Sequence, residues 1–327
     1  MSDAPAQPSG FVLALDFGGT KVDVAVAAPD GRVLATTRLA TDAARGAEQV
    51  VDRAVDAARA LMADADGGPL LAVAAASPGI VLDDRILLAP NVPGWGDLAL
   101  AARLRDGLRT DRVVCATDVK AATLAELRWG ALRGADPGVF LNLGTGLAAG
   151  IAIGGRVLHG ANGAAGEIGY ALRGADGDGV LEEAVGGRAI GERAGAPSAA
   201  AVFARADAGD AEAAALLDAA LDELAVHVAN LAALVDPARI AVGGGMMGAA
   251  DRVLAALRRR AGEAVPFPPA IVPAHFTHDA ALHGAVALAL EAAAATPEEE
   301  QHHEDHPITR ADRADVRGRD RRAGGVR

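Results

Sequence analysis

The chain has little with which to cross-link itself, anchor in a bilayer or hold a polyanion by bulk charge. Its single cysteine, Cys115, excludes an intramolecular disulfide and any multi-cysteine zinc site. That thiol lies in the apolar run 113–116 and reads as a small core residue. Aromatic residues make up only 3% of the chain, so aliphatic side chains, alanine above all, must supply the core. No apolar run reaches membrane-spanning length, and residues 1–10 lack the charged and apolar blocks of a signal peptide. A cytoplasmic protein with no membrane partner is expected. Positive charge is also in deficit: a net charge of −12 argues against non-specific nucleic-acid binding. ATP stays within reach, through backbone N–H groups and a metal.

What is present is a duplication. An apolar run over 11–15 leads into Asp16-Phe17-Gly18-Gly19-Thr20, a return strand follows over 22–27, and Asp30-Gly31 closes the hairpin. Later, Phe140, Leu141 and Leu143 lead into Gly144-Thr145-Gly146, with a return strand over 148–153 closed by Gly154-Gly155. Both end alike, in Gly31-Arg32-Val33-Leu34 and Gly155-Arg156-Val157-Leu158. A repeated supersecondary unit implies two related lobes, each offering a Gly-rich hairpin with anion-facing N–H groups to a shared cleft. Length agrees, because about 300 ordered residues exceed what one core usually serves.

Helix and strand patterns alternate, as in α/β proteins. Helices are expected over 46–63, 98–108, 119–132, 211–235, 249–264 and 279–294, and strands over 70–76, 112–116 and 240–242. The helix over 211–235 should bury Leu216, Leu217, Leu221, Leu224, Val228, Leu231 and Leu234, with His227 as a core histidine. Residues 87–95 are too proline-rich for a helix, and 174–179 form a turn-rich loop in which Asp176 and Asp178 read as solvated rather than calcium-binding. From Thr296 the periodicity stops; 296–327 reads as a disordered tail, and His302, His303 and His306 as solvated within it.

Four places can carry chemistry. Asp16 beside Gly18-Gly19-Thr20 suits Mg²⁺ held through water, or a turn aspartate capping its own backbone. Asp118 opens a helix after a strand, a position that suits an N-cap and equally a base accepting a hydroxyl proton during phosphoryl transfer. Glu167, after Gly163-Ala164-Ala165-Gly166, is either a ligand-facing carboxylate or a first-turn glutamate favoured by the helix dipole. Gly243-Gly244-Gly245 lets a nucleoside pass close beneath, or simply turns the chain.

Asp16-Phe17-Gly18-Gly19-Thr20-Lys21, Thr117-Asp118 with the following Ala121 to Glu126, Leu143-Gly144-Thr145-Gly146, the run from Gly160 to Gly169, Leu181-Glu182 and Val242-Gly243-Gly244-Gly245 together resemble the ROK family of repressors, open reading frames and sugar kinases. The likeness runs from residue 11 to about 291. It implies an α/β actin-like ATPase (ribonuclease H-like) fold, with two α/β lobes around a central cleft. The lobes would be 11–118, completed by a C-terminal helix over 279–294, and 119–278.

The resemblance further implies transfer of the ATP γ-phosphate to a hexose hydroxyl, the 6-hydroxyl in a glucokinase-like enzyme, with Asp118 as general base. Asp16 would serve Mg²⁺ and phosphate. Gly18, Gly19, Thr20, Lys21, Gly144, Thr145 and Gly146 would bind phosphate, and Gly243, Gly244 and Gly245 would lie near adenosine. Gly79, Asn91, Thr117, Asp118, Glu167, Tyr170 and Glu182 would contact the sugar. A homodimer is the expected assembly. The departures are specific. Thr117 stands where the family usually has Asn, and Tyr170 where it has a His shared between sugar and a structural zinc; the cysteines of that zinc site are missing, so no zinc is expected. Lys120 either approaches phosphate or lies on the first helical turn. The other readings are a sugar-responsive regulator or sugar-binding protein without turnover, and a kinase using another donor such as polyphosphate. Only ten residues precede Phe11 to hold a helix-turn-helix, which sets the kinase first.

Overall fold

A computed structural model describes residues 10–64, 68–82, 84–89, 92–174 and 179–295. Asn91, Asp176, Asp178 and the tail over 296–327, with its three histidines, lie outside the described residues. The described residues divide into two compact units, one within 10–118, 159–164 and 285–295, the other within 119–158 and 165–284.

In the first unit, β1 (Phe11–Phe17), β2 (Lys21–Ala27), β3 (Val33–Ala40), β4 (Leu70–Ser77) and β7 (Val113–Thr117) form one sheet in the order β3-β2-β1-β4-β7. The first three strands meander antiparallel, and β4 and β7 run parallel to β1. β1 is apolar almost throughout and buried on both faces, as a central strand paired to a parallel neighbour requires. β3 alternates half-buried and exposed residues, which suits its edge position. A two-stranded ribbon of β5 (Ile80–Val81) and β6 (Ile86–Leu87) follows β4. Two helices, α1 (Ala47–Ala63) and α2 (Leu100–Leu108), cover one face. Val50, Val51 and Val55 of α1 and Leu100 and Leu104 of α2 pack with Leu13, Leu15, Phe17, Val24 and Val73. Truncating a side chain as enclosed as Leu104 to alanine costs about 2–5 kcal/mol.

The second unit repeats the plan. Its sheet contains β8 (Gly138–Leu143), β9 (Leu147–Ile153), β10 (Arg156–Val157), β11 (Arg239–Gly243) and β12 (Ala270–Pro273), in the order β10-β9-β8-β11-β12. Again a hairpin comes first and two parallel strands follow. The helices are α3 (Asp118–Trp129), α4 (Glu182–Val185), α5 (Gly187–Arg193), α6 (Ala199–Asp207), α7 (Ala211–Val235) and α8 (Ala250–Ala264), with α9 (Ala280–Ala294) beginning in this unit and ending in the first. Asp210 caps α7 by accepting the N–H groups of Glu212 and Ala213 at 3.1 Å each.

The structure corrects the sequence reading in several places. β3 and β12 are strands that the hydrophobic pattern does not show, and α4, α5 and α6 fill residues 182–207, where no helical period stands out. The helix expected over 119–132 stops at Trp129. There the Glu126 carboxylate takes the Ala131 N–H at 2.6 Å and the Phe276 N–H at 2.8 Å, so the chain turns where the helix would have continued. On α7 the buried face is richer in alanine than expected, with Ala213, Ala220, Ala225, Ala229 and Ala232 beside Leu217, Leu221, Leu224 and Val228. Leu234 is 85% exposed, and His227 is half-buried at the edge of the stripe rather than in the core.

Candidate active site

In the first unit the site begins at the β1–β2 turn. The Gly18 N–H donates to the Lys21 carbonyl at 2.9 Å and so closes the hairpin instead of facing outward. Gly19 and Thr20 form its exposed tip. Behind the tip stands Thr41, 1% exposed, which sequence reasoning missed. Its N–H donates to the Thr20 carbonyl at 3.0 Å and its Oγ1 to the Gly18 carbonyl at 2.6 Å, pinning the turn from β3's far end. A threonine just past a strand carries no signal in sequence that would mark this.

Asp16 is level with Ala76 of β4, which is level with Ala116 of β7. Asp118 lies two residues beyond Ala116, so both residues stand at the same end of one sheet, on strands whose backbones are roughly 10 Å apart. Asp118 is half-buried at the start of α3, and Thr117, 4% exposed, pairs with Ser77 in the β4–β7 ladder. Burial pushes the Asp16 carboxyl up to about 7, the negative charges of Asp118 and Asp23 adding to it, while Lys21 and Arg38 oppose. Asp16 still keeps an opening to solvent. A desolvated carboxylate flanked by two others, open on one side, fits a hard divalent cation. Among the described residues no group of three or more His, Cys, Asp or Glu side chains is arranged to hold a metal, so such a cation would be held by few carboxylates plus phosphate and water, the usual manner of magnesium.

Gly79 follows Ser77-Pro78 with φ +82°, and a Cβ there would stand 2.4 Å from the Leu87 carbonyl oxygen. The β5–β6 ribbon therefore accounts for this glycine. Trp95 donates its indole N–H to Ser77 Oγ at 2.9 Å and packs on Phe17 with ring centroids 5.4 Å apart, bracing the strand ends that carry Asp16 and Asp118.

In the second unit, the Gly144 N–H donates to the Gly146 carbonyl at 3.0 Å, the counterpart of the Gly18 closure. The Gly144 and Thr145 carbonyls accept from Gly187 and Arg188 at the start of α5, at 3.0 and 3.1 Å. Thr145 is left as the exposed tip. Gly243 is level with Asn142 in the β8–β11 ladder, and a Cβ on Gly244, at φ +93°, would meet the Leu143 carbonyl oxygen at 2.5 Å. The two glycine turns are thus neighbours, and only glycine lets them approach so closely.

Glu182, at the start of α4, accepts the Leu147 N–H at 2.7 Å. Its Oε2 would lie 2.5 Å from a Cβ on Gly146 and 3.3 Å from one on Gly169. It joins the Gly144–Gly146 turn to the loop of Glu167 and Tyr170. Glu167 is half-buried, its carbonyl accepting the Tyr170 N–H at 3.1 Å, and Tyr170 is 50% exposed. Gly166 precedes them at φ +87°, its carbonyl accepting the Ala149 N–H of β9 at 2.8 Å. Lys120 on α3 is 3% exposed, an unusual depth for a lysine.

Comparison with known proteins gives these features a family. The sequence model of the ROK family matches residues 12–292. The bifunctional enzyme NanE/NanK of Brucella melitensis biotype 1 is 36% identical over 300 residues, 88% of this chain and 55% of that protein, so the chain spans about half the length of that relative. N-acetylmannosamine kinase of Shigella flexneri is 34% identical over 294 residues, 85% of this chain and 98% of that protein. Among solved structures, the ROK family glucokinase of Streptomyces griseus, in complex with glucose and AMPPNP, is similar with a TM-score of 0.69 at 31% identity, covering 86% of this chain and 100% of that one. The doubled sheet is that of the actin-like ATPase fold. With the family model matching residues 12–292, across both sheets and the glycine turns of each unit, the chain belongs to the ROK family.

Proposed function

We propose that the protein is an ATP-dependent sugar kinase that transfers the γ-phosphoryl group to a hexose hydroxyl, the 6-hydroxyl, with Asp118 as general base. The observation that carries this is the placement of Asp16 and Asp118 at one end of one sheet, level to within two residues and two strands apart. Phosphoryl transfer needs a carboxylate for the donor's cation and another for the acceptor's proton, and it depends on their separation more than on covalent chemistry by the protein.

Asp16 would hold magnesium, which supplies charge neutralisation on the donor phosphates. Gly19, Thr20 and Lys21 of the first unit and Thr145 and Gly146 of the second would contact phosphate. Gly18 and Gly144 serve instead by closing their turns. Gly243, Gly244 and Gly245 would lie under adenosine. Asp118 would accept the acceptor hydroxyl proton as the new O–P bond forms and the bond from Pγ to the bridging oxygen breaks, releasing ADP. Glu167 and Tyr170 would orient the sugar, with Thr117, Gly79 and Asn91. Glu182 would hold the phosphate turn and sugar loop in register.

A second acceptor is favoured by the relatives: N-acetylmannosamine, named in the Shigella flexneri protein. Release of ADP from Mg-ATP across glucose, mannose, N-acetylglucosamine and N-acetylmannosamine separates the two. Asp118→Asn should lower kcat by about 10²–10⁴-fold with nucleotide affinity retained. Absence of sugar-stimulated ADP release in the wild type, or full activity in Asp118→Asn, contradicts the proposal.

A further inference from the structure

Asp23 is a carboxylate in a strand that has no folding need of one. It is 4% exposed, and its neighbours on β2 are Val22, Val24, Ala25 and Val26, all buried. In the β1–β2 ladder it stands directly opposite Asp16, and like charges at that position destabilise a sheet. An apolar residue would remove both the repulsion and the cost of desolvation. What Asp23 does is hold two cations. Lys21, on the same face of β2, donates to Asp23 Oδ2 at 2.8 Å, and Arg38, its direct partner on β3, donates through Nε at 2.5 Å and Nη2 at 3.1 Å.

The two cations differ in kind. Arg38 has a side chain 63% exposed and grips the carboxylate with a planar fork. Lys21 is 37% exposed and is a compact point charge one residue past the Gly19–Thr20 tip, its backbone closing the turn to Gly18. Lysine is scarce in this chain: only Lys21 and Lys120 occur among 31 basic residues. At position 21, then, a compact point charge on an unbranched stem appears where an arginine would be the ordinary choice in this chain. Its ammonium donates to Asp23, and Asp16, directly opposite Asp23 in the ladder, is close enough to feel its charge.

We propose that Asp23 is a positioning residue for the phosphoryl donor: it holds the Lys21 ammonium beside the Gly18–Thr20 turn, while Arg38 balances the carboxylate so that Lys21 remains available to phosphate. The inference rests on the kinase reading above and adds to it a residue that touches neither donor nor acceptor. Its consequence is that Asp23 acts on the donor only through Lys21.

A double-mutant cycle on the full chain tests this, with magnesium and AMPPNP binding measured calorimetrically so that no turnover is needed. Asp23→Ala and Lys21→Met should each weaken binding by about tenfold, the scale of one charge-assisted contact. The double variant should bind no more weakly than Lys21→Met alone. Asp23→Asn, which keeps an acceptor for Lys21 but loses the charge, should fall between wild type and Asp23→Ala; thermal melts confirm that each variant is folded. If the losses multiply, or if Asp23→Ala binds as the wild type does, Asp23 has a structural role only and the inference is overturned while the kinase reading stands. If Lys21→Met binds as the wild type does, the inference is likewise overturned. If the wild type neither binds AMPPNP nor turns over any sugar, the kinase reading itself falls, and the inference with it.

Discussion

Glu182 accepts the Leu147 N–H at 2.7 Å, so one carboxylate oxygen is committed to the backbone of the Gly144–Gly146 turn. This divides its structural role from any charge-dependent one. Glu182→Ala should lose about 1–3 kcal/mol, the cost of stranding that N–H, and weaken nucleotide and sugar together. Glu182→Gln keeps an acceptor for Leu147 and should melt within about 0.5 kcal/mol of the wild type. If Glu182→Gln is nevertheless much weaker for sugar alone, the carboxylate contacts the acceptor; calorimetry with each ligand and thermal melts separate the outcomes.

Thr41 should matter to the donor without touching it. Thr41→Val preserves shape and deletes the Oγ1 bond to the Gly18 carbonyl. The expected loss is about 1 kcal/mol of stability and a several-fold rise in the KM for ATP, with the KM for sugar unchanged. An unchanged KM for ATP would show that the turn keeps its shape without this pin.

Asp16 gives the empty enzyme a specific pH dependence. Its carboxyl is held at about 7 in the fold, chiefly by burial, against 3.8 ordinarily. Between those values the folded state binds the proton more tightly than the unfolded chain does. Its contribution to stability is therefore fully present below about pH 4, falls as pH rises, and is lost above about pH 7. Asp16→Asn should abolish this component and be more stable than the wild type at pH 8, by an amount on the order of 2–4 kcal/mol, in melts without magnesium or nucleotide. Equal stability of the two proteins from pH 4 to 8 would contradict the reading.

Gly244 is required by its neighbours. At φ +93°, with the Leu143 carbonyl oxygen 2.5 Å from a Cβ, Gly244→Ala should cost more than about 2 kcal/mol and loosen the adjoining Gly144–Gly146 turn. Gly245, with nothing within 4 Å of a Cβ, should tolerate alanine in the melt, so any loss of AMPPNP affinity there reports ligand contact rather than folding.

The hairpins and long helices are legible in the sequence because each pairs a clear hydrophobic period with glycine or proline punctuation: 11–27 and 140–155 for strands, 211–235 stopped by Asp236-Pro237. β3 is not, since Val33–Ala40 mixes alanine and threonine and its alternation is weak in hydrophobicity although regular in exposure. β12 has four residues after two prolines, too few to show a period. The helices α4 to α6 are short and rich in small residues. The exposure of Leu234 is not legible, because hydrophobicity cannot tell a covered leucine from a bare one at the last turn of a helix. At the candidate site, Asp16, Asp118 and the glycine turns stand out in the sequence by type and position, each with a plain structural alternative that only the family resemblance outweighs. Asp23 and Thr41 do not, because their work is done on neighbours that only the folded sheet brings beside them.

The scarcity of aromatics has an optical consequence. The chain contains two tryptophans. Trp95, 1% exposed, packs on Phe17 in the first unit, and Trp129 ends α3 in the second with the Arg128 guanidinium 5.2 Å from its ring. Tryptophan fluorescence, excited selectively over Tyr170, therefore reports in Trp129→Phe on the first unit alone and in Trp95→Phe on the second. Each half of the duplicated fold carries its own lamp, so its unfolding can be followed separately from that of the other.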